Sequence, residues 1–417
     1  MFTFIDISLF LLVAIIFTRS QFIRSTRSNT NTNTSSPPAM MPFMMNPRGR
    51  GMIPSRRAPL VPPQDRHDEP QLPAFDKSFE ATPTDVLKVK MILSKASQLP
   101  LELVDMILDC AEYWVCSSAV VDHADHPGQI ISIGARPGQD RFLLRTKPLG
   151  LDKWLPSNGG LWRSEAIPKQ LEKEYTQSEL NKFVREPISA LEHPFRKVVF
   201  DIVSHDQGWS SDHPNQGTFR GSCTWFDAGL DRFDAENECE QECSDRYGPL
   251  YHEETPDDVG KATHDSEAKG DFDEATDSRD DATDHKDDVT DHEREDMIPT
   301  CAIRPIWPEP ADNQGSPYNV RYHHELLPNP RHLIQRNKHA SSTFHHHHIE
   351  WSCNDDIDPD SPEADELEEA GRGKGTGNGE FVRNLKFGDM VTVWGHARFP
   401  GWRNDVSKVQ IKVYWAL

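Results

Sequence analysis

The feature that constrains this chain most is its last apolar run. In KVQIKVYW, residues 408–415, Val409, Ile411, Val413 and Trp415 fall on one side, and Lys408, Gln410, Lys412 and Tyr414 on the other. So strict a period of two belongs to a strand half-buried in an antiparallel sheet. The apolar side needs a second layer to cover it, so the expected fold is mainly β, an antiparallel, jelly-roll-like β-sandwich. The same chemistry recurs upstream. ISIG (131–134), RFLLR (141–145), RKVVFDIVS (196–204), GTFRGSCTWFDAG (217–229) and GDMVTVWGHARF (388–399) are rich in β-branched and aromatic residues, with polar turns between them. The residues PGWRND that follow can reverse the chain, which predicts that the last strand pairs with residues 390–398.

Tryptophan marks where the core lies. None of the ten precedes Trp114, and none falls in either of two acidic segments. Residues 252–296 carry 19 acidic and 5 basic side chains, and residues 354–370 carry 9 acidic and no basic ones. The net charge of −22 therefore resides in these two segments, and the other 355 residues sum to +1. Because tryptophan contributes so much buried area, the core must draw on both sides of the acidic stretches. The chain is read as one discontinuous β-domain, 118–251 and 298–417, with an acidic disordered insert at 252–297 and an acidic, Gly-rich disordered insert at 354–380. The first insert holds a seven-residue repeat, ATDSRDD, ATDHKDD, VTDHERE (275–295), with no apolar seam for a coiled coil. The second ends in GRGKGTGNG (371–379), which reads as a flexible connector. A near-neutral body lacks the concentrated Lys and Arg that phosphate contacts need, so no nucleic-acid partner is expected.

The amino end is apolar but short. Residues 1–18 contain the run ISLFLLVAIIF without a basic leader or a small-residue cleavage site, and below the ~20 apolar residues of a spanning helix. Arg19, Arg24 and Arg27 follow it, so a membrane tether through residues 2–17 would leave the body in the cytoplasm. A cytoplasmic or nuclear protein is the first expectation, and the membrane-tethered form the alternative. Residues 19–83 are a disordered linker, polar and rich in Pro and Met. Seven cysteines, an odd and sparse set, suggest a reduced chain without a disulfide framework. Cys239 and Cys243, spaced i, i+4, lack the second pair of a zinc site.

Between linker and β-domain, residues 84–117 read as helical. Thr84 and Asp85 can cap a first helix, and Pro100 suits the first turn of a second. In LPLELVDMIL (99–108), Leu103, Val104, Ile107 and Leu108 line one face. This segment resembles the opening of an F-box, Leu-Pro-x-Glu-Leu-hydrophobic-x-x-Ile-Leu. The resemblance implies a non-enzymatic adaptor that meets a ubiquitin-ligase adaptor through Leu99, Pro100, Leu103, Val104, Ile107 and Leu108. More widely, the chain is similar to a group of filamentous-fungal proteins sharing an LPxELVxxIL…AEYW helix, a SHDQGW…GTFRGSxTWF segment and a closing GDxVxVW…FPGWxNxV…VxIxVY strand pair, here 99–114, 204–226 and 388–414. That likeness implies no activity.

No catalytic constellation stands out, so the chain is read as a non-enzyme without cofactor or metal. Ser204-His205-Asp206 holds the residue types of a hydrolase triad, but adjacent side chains on an extended backbone diverge. Gly371 to Gly377 lacks the Gly-Lys-Ser/Thr order of a phosphate loop. In the run His345 to His348, His346 and His348 would share one strand face; an exposed, His-rich strand is the plainer reading. Two aromatic turns carry more. Asp206, Gln207 and Trp209 lie in one, and Trp402, Arg403 and Asn404 in the other. Loops at one end of a sandwich are where binding sites form, and an aromatic platform with amide and charged partners suits a glycan or a peptide. Tryptophans plugging the ends of the sandwich are the simpler account. The expected function is a binding or adaptor protein with a recognition domain beside an F-box-like helix. The alternative is a carbohydrate-binding β-sandwich with no ubiquitin-ligase role.

Overall fold

The computed structural model describes residues 80–122, 130–134, 138–151, 164–184, 189, 191–237, 298–311 and 321–417. The apolar segment 1–18, the linker up to residue 79, Cys239, Cys243 and the insert 252–297 lie outside them. Among the described residues the strands are β1 (Val115–Asp122), β2 (Ile130–Ile133), β3 (Asp140–Arg145), β4 (Phe195–His205), β5 (Thr224–Phe233), β6 (Ile303–Trp307), β7 (Leu333–Arg336), β8 (His345–Ser352), β9 (Met390–Ala397) and β10 (Arg403–Trp415). They form two antiparallel sheets of five. In the first, β10 pairs with β1 and β2 along one edge and with β4 along the other, and β8 pairs with β4. In the second, β9 lies between β3 and β5, and β5 takes β6 and β7 along its far edge.

The sheets share one core. Phe200, Ile202, Trp351, Val409 and Ile411 of the first meet Phe226, Ala228, Val391 and Val393 of the second. Chain from both sides of the 252–297 insert builds both sheets, as the tryptophan positions require. The final alternation holds: Val409, Ile411 and Val413 are wholly buried and Trp415 nearly so. Its expected partner is corrected, because β10 pairs with β1, β2 and β4, and residues 390–397 belong to the opposite sheet. The connection crosses between sheets because residues 398–402 bond outward to other loops: Arg398 N–H donates to the Cys223 carbonyl (2.9 Å), and the Trp402 carbonyl accepts from Gly134 N–H (2.8 Å). The strand read from residue 217 begins at Thr224, since Gly217 and Gly221 adopt positive φ (77° and 70°) and turn the chain before it.

The acidic, Gly-rich segment 354–380 is also corrected, from disordered insert to folded structure. Ser361 caps a helix, α4 (Pro362–Glu369), by accepting from Ala364 N–H (3.3 Å). Glu363 and Asp365 sit in its first turn, where the helix dipole favours anions. Ala364 is buried beneath it. The glycines serve close approach, not freedom: at Gly371 (φ +81°) a Cβ would come within 2.6 Å of Phe219 and Gln335, and at Gly377 within 2.7 Å of Leu367. Backbone bonds from Arg336 N–H to Gly371 and from Gly373 N–H to Leu333 tie the segment to β7.

Among the described residues, two helices precede β1. A capping box between Thr82 and Asp85 starts α1 (Pro83–Ser97), and α2 (Leu101–Cys110) follows Pro100. Ala81, Val86, Val104 and Leu108 enter the sandwich core itself, so the hairpin packs on the β-domain. Two short helices, α3 (Gln177–Leu180) and α5 (Glu380–Arg383), complete the elements that matter here. No helix among the described residues is long and apolar enough to cross a membrane.

Candidate functional site

The β2–β3, β4–β5, β7–β8 and β9–β10 connections gather at one end of the sandwich. Gly134 bonds to Trp402, Asp206 N–H to the Ser341 carbonyl (3.2 Å), and His339 N–H to the Thr218 carbonyl (2.7 Å). The two aromatic turns singled out from sequence meet here. Arg403 N–H donates to Gln207 Oε1 (3.3 Å), and the Trp209 ring lies over Gly401, where a Cβ would be 3.1 Å from Cη2. Gly401 itself has φ +97°, so the turn needs glycine twice over. Trp209 is 64 % exposed and Phe399 46 % exposed, while Trp402 is half-buried against His339. Neither Trp209 nor Phe399 plugs the core.

Asp206 and Asn404 act from beneath. Asp206 accepts from Gly208 N–H (3.0 Å) and Ala340 N–H (2.8 Å), and burial still pushes its carboxyl above the usual range. Asn404 donates to the carbonyls of Trp225 and His396 and accepts from Asn337 (2.9 Å). These two hold the loops in register, which leaves Gln207, Trp209, Trp402 and Arg403 at the surface. Ser204 and His205 have separate partners, Ser204 Oγ–H bonding Asn337 Oδ1 (2.7 Å) and His205 lying 3.5 Å from Asp405, and no triad forms.

The F-box-like residues divide. Val104 and Leu108 are buried in the core and Leu99 packs against it, while Ile107 is half-buried. Pro100 and Leu103 face outward, with Leu101 and Met106 of the same helix and Met91 and Ile92 of α1 also exposed.

In β8, His346 and His348 do share a face. Each ring lies 2.8 Å from Asp201 Oδ1 on β4, and His348 also reaches Glu350 (3.3 Å). Burial raises the Asp201 carboxyl, but bonds from His348 and His346 outweigh it and hold it below its usual value. Hydrogen bonds to Asp201 and then Glu350 carry His348 up to about 10. The stabilisation from its charge is therefore complete below pH 6.5 and lost as pH rises through about 10. The His348 ring protons in an NMR titration are expected to stay in the imidazolium position at pH 8, and their midpoint to fall in Asp201→Asn, with Glu350 still in place. A wild-type midpoint near 6.5 would refute the coupling.

A second cluster on the outer face of the β3–β9–β5 sheet was not singled out from sequence. His396 Nδ1 lies 2.8 Å from Asp140 Oδ1, its Nε2 lies 3.3 Å from Asp227 Oδ2, and its ring stacks on Trp225. His324, from the segment before β7, packs beside His396 with ring centroids 5.2 Å apart. One ligand atom from each of Asp140, His324 and His396 lies within 4.8 Å of the others. Burial pushes Asp227 above the usual carboxylate range. The available signal was β9 itself: Val391 and Val393 alternate with Trp394 and His396, and all eight of its residues are buried. A strand covered on both faces implies a layer over its outer side, and a histidine there is unusual. His324 is distant in sequence and carried no such signal. No family model, no curated protein and no solved structure matches the chain.

Proposed function

We propose that the chain is a non-enzymatic binding and adaptor protein whose loop end recognises a glycan. The observation that carries this reading is the convergence of the two aromatic turns, with Trp209 largely exposed over Gly401 and flanked by Gln207 and Arg403. A flat indole beside amide and guanidinium donors offers a sugar ring both a stacking face and hydroxyl partners. A jelly-roll topology fits the same reading. With β1 and β2 taken as one strand and β6 and β7 as another, each sheet is a four-stranded layer, and every connection but β5–β6 crosses from one layer to the other. Trp209→Ala should leave the unfolding midpoint within about 0.5 kcal/mol of wild type, as for an exposed side chain, while abolishing binding on a glycan array. Binding to peptides alone, or glycan binding unaffected by the substitution, would overturn it.

The outward residues Leu101, Leu103 and Met106 support docking of a ubiquitin-ligase adaptor on α2. Leu103→Asp should remove a co-purifying adaptor without unfolding the protein. The alternative, a carbohydrate-binding sandwich with no ligase role, is favoured by the burial of Val104 and Leu108, which removes half of the motif's apolar face from any partner. An intact protein that captures no adaptor decides for this alternative.

A further inference from the structure

We infer that His324, His396 and Asp140 form a binding site for one first-row divalent transition-metal ion. Two imidazoles and one carboxylate, with their ligand atoms mutually within 4.8 Å, are a donor set suited to such ions rather than to Ca²⁺ or Mg²⁺, which prefer oxygen alone. The three ligands come from β3, β9 and the chain before β7, and Arg398 holds those segments together. Its guanidinium donates to the carbonyls of Gln139 (3.3 Å), Ala397 (3.1 Å) and Glu325 (2.7 Å), and it pairs with Asp140 (2.7 Å).

A small polar cavity adjoins the two histidine ligands. His396 is 1 % exposed, yet its Nε2 has no hydrogen-bond partner, and neither do the buried Asp227 Oδ1 and Trp394 Nε1 beside it. All three residues line a cavity of about 10 Å³, to which His324 also contributes. Buried polar atoms are almost always satisfied, so three orphans around one small space call for a water there, on the Nε2 side of the His396 ring and away from Asp140. With Nδ1 of His396 turned to a metal, its Nε2 carries the proton and faces the Asp227 carboxylate, the carboxylate–histidine–metal relay that fixes a ligand's tautomer. Charge favours a cation as well: Asp140 pairs with Arg398, and among the described residues Asp227 has no Lys or Arg within ion-pair distance. Trp225 stacked on His396, with Trp394 against His324, limits solvent on both sides.

The test uses the full-length protein, stripped with chelator and titrated with Co²⁺ at physiological salt, which suppresses loose binding to the acidic segments. One saturable equivalent with visible d–d absorption is expected, together with a raised melting temperature that depends on metal concentration. His324→Ala should weaken that equivalent at least tenfold while leaving the metal-free melting temperature unchanged. Asp227→Asn should weaken it about 10–100-fold through loss of the relay. The double variant His346→Ala/His348→Ala should bind as wild type does. Absence of a saturable equivalent, an unaltered titration in His324→Ala, or loss of binding in the β8 variant instead would each overturn the assignment.

Discussion

A protein ending at Lys408 is expected not to fold. The deletion removes Val409, Ile411, Val413 and Trp415, all within 4 % of complete burial, and each is worth about 1.5–3 kcal/mol of apolar transfer. Net stabilities of single domains are only about 5–15 kcal/mol. The loss is larger than the side chains alone, because β10 is a central strand. Residues 409–415 pair with Val115–Val121 on one edge and with Phe195–Ile202 on the other, so β1 keeps a single pair with β10 and β4 loses most of one side. The hairpin α1–α2 goes with it, since its buried Val104 and Leu108 share that core. Expression of residues 1–408 should give insoluble protein, or soluble protein without a cooperative melt or near-ultraviolet circular dichroism. A cooperative transition would show that β10 is dispensable and the core is elsewhere.

Asp231→Ala should cost about 3–5 kcal/mol, the range for removing one partner of a buried ion pair. Arg145 Nε lies 2.7 Å from Asp231 Oδ2, and both side chains are at most 4 % exposed. Burial pushes the Asp231 carboxyl upward and the guanidinium beside it pulls it down, so the aspartate depends on its arginine. Without Asp231 the buried guanidinium loses its 2.7 Å carboxylate partner in a dry site, a penalty above the worth of an exposed pair. The double variant Arg145→Met/Asp231→Leu should regain most of the loss, because it removes both desolvated charges at similar volume. Urea unfolding of the three proteins checks this. Equal destabilisation in the single and double variants would mean that lost packing, not the broken ion pair, accounts for the effect.

Much of the β-architecture was legible because it rests on local pattern. Alternation in residues 409–415 reports burial on one side, and tryptophan placement reports which stretches of chain share a core. The meeting of Trp209 with the turn at Trp402 was legible as chemistry, since both turns carry aromatic and amide groups in loop contexts. Partner choice was not. Residues 390–397 and 403–415 follow one another and alternate alike, yet they lie in different sheets, because the turn's hydrogen bonds go to Cys223 and Gly134 rather than across a hairpin. Composition misled for 354–380, where acidic and glycine residues usually mean an unfolded connector. Gly371 and Gly377 are required by Phe219 and Leu367 pressing on the backbone, contacts between residues far apart in sequence for the first and ten apart for the second.

Local pattern alone specified a mainly β chain with its apolar faces assigned, a helical segment before it, and two aromatic turns. These follow from side-chain period, residue volume and turn chemistry, which act within a few residues. Long-range packing set the rest: Val104 and Leu108 belong to the sandwich core, the acidic 354–380 segment is folded, and Asp140, His324 and His396 converge. Such outcomes depend on which surfaces a finished sheet leaves to be covered, and that is settled by long-range packing rather than by any local run of residues.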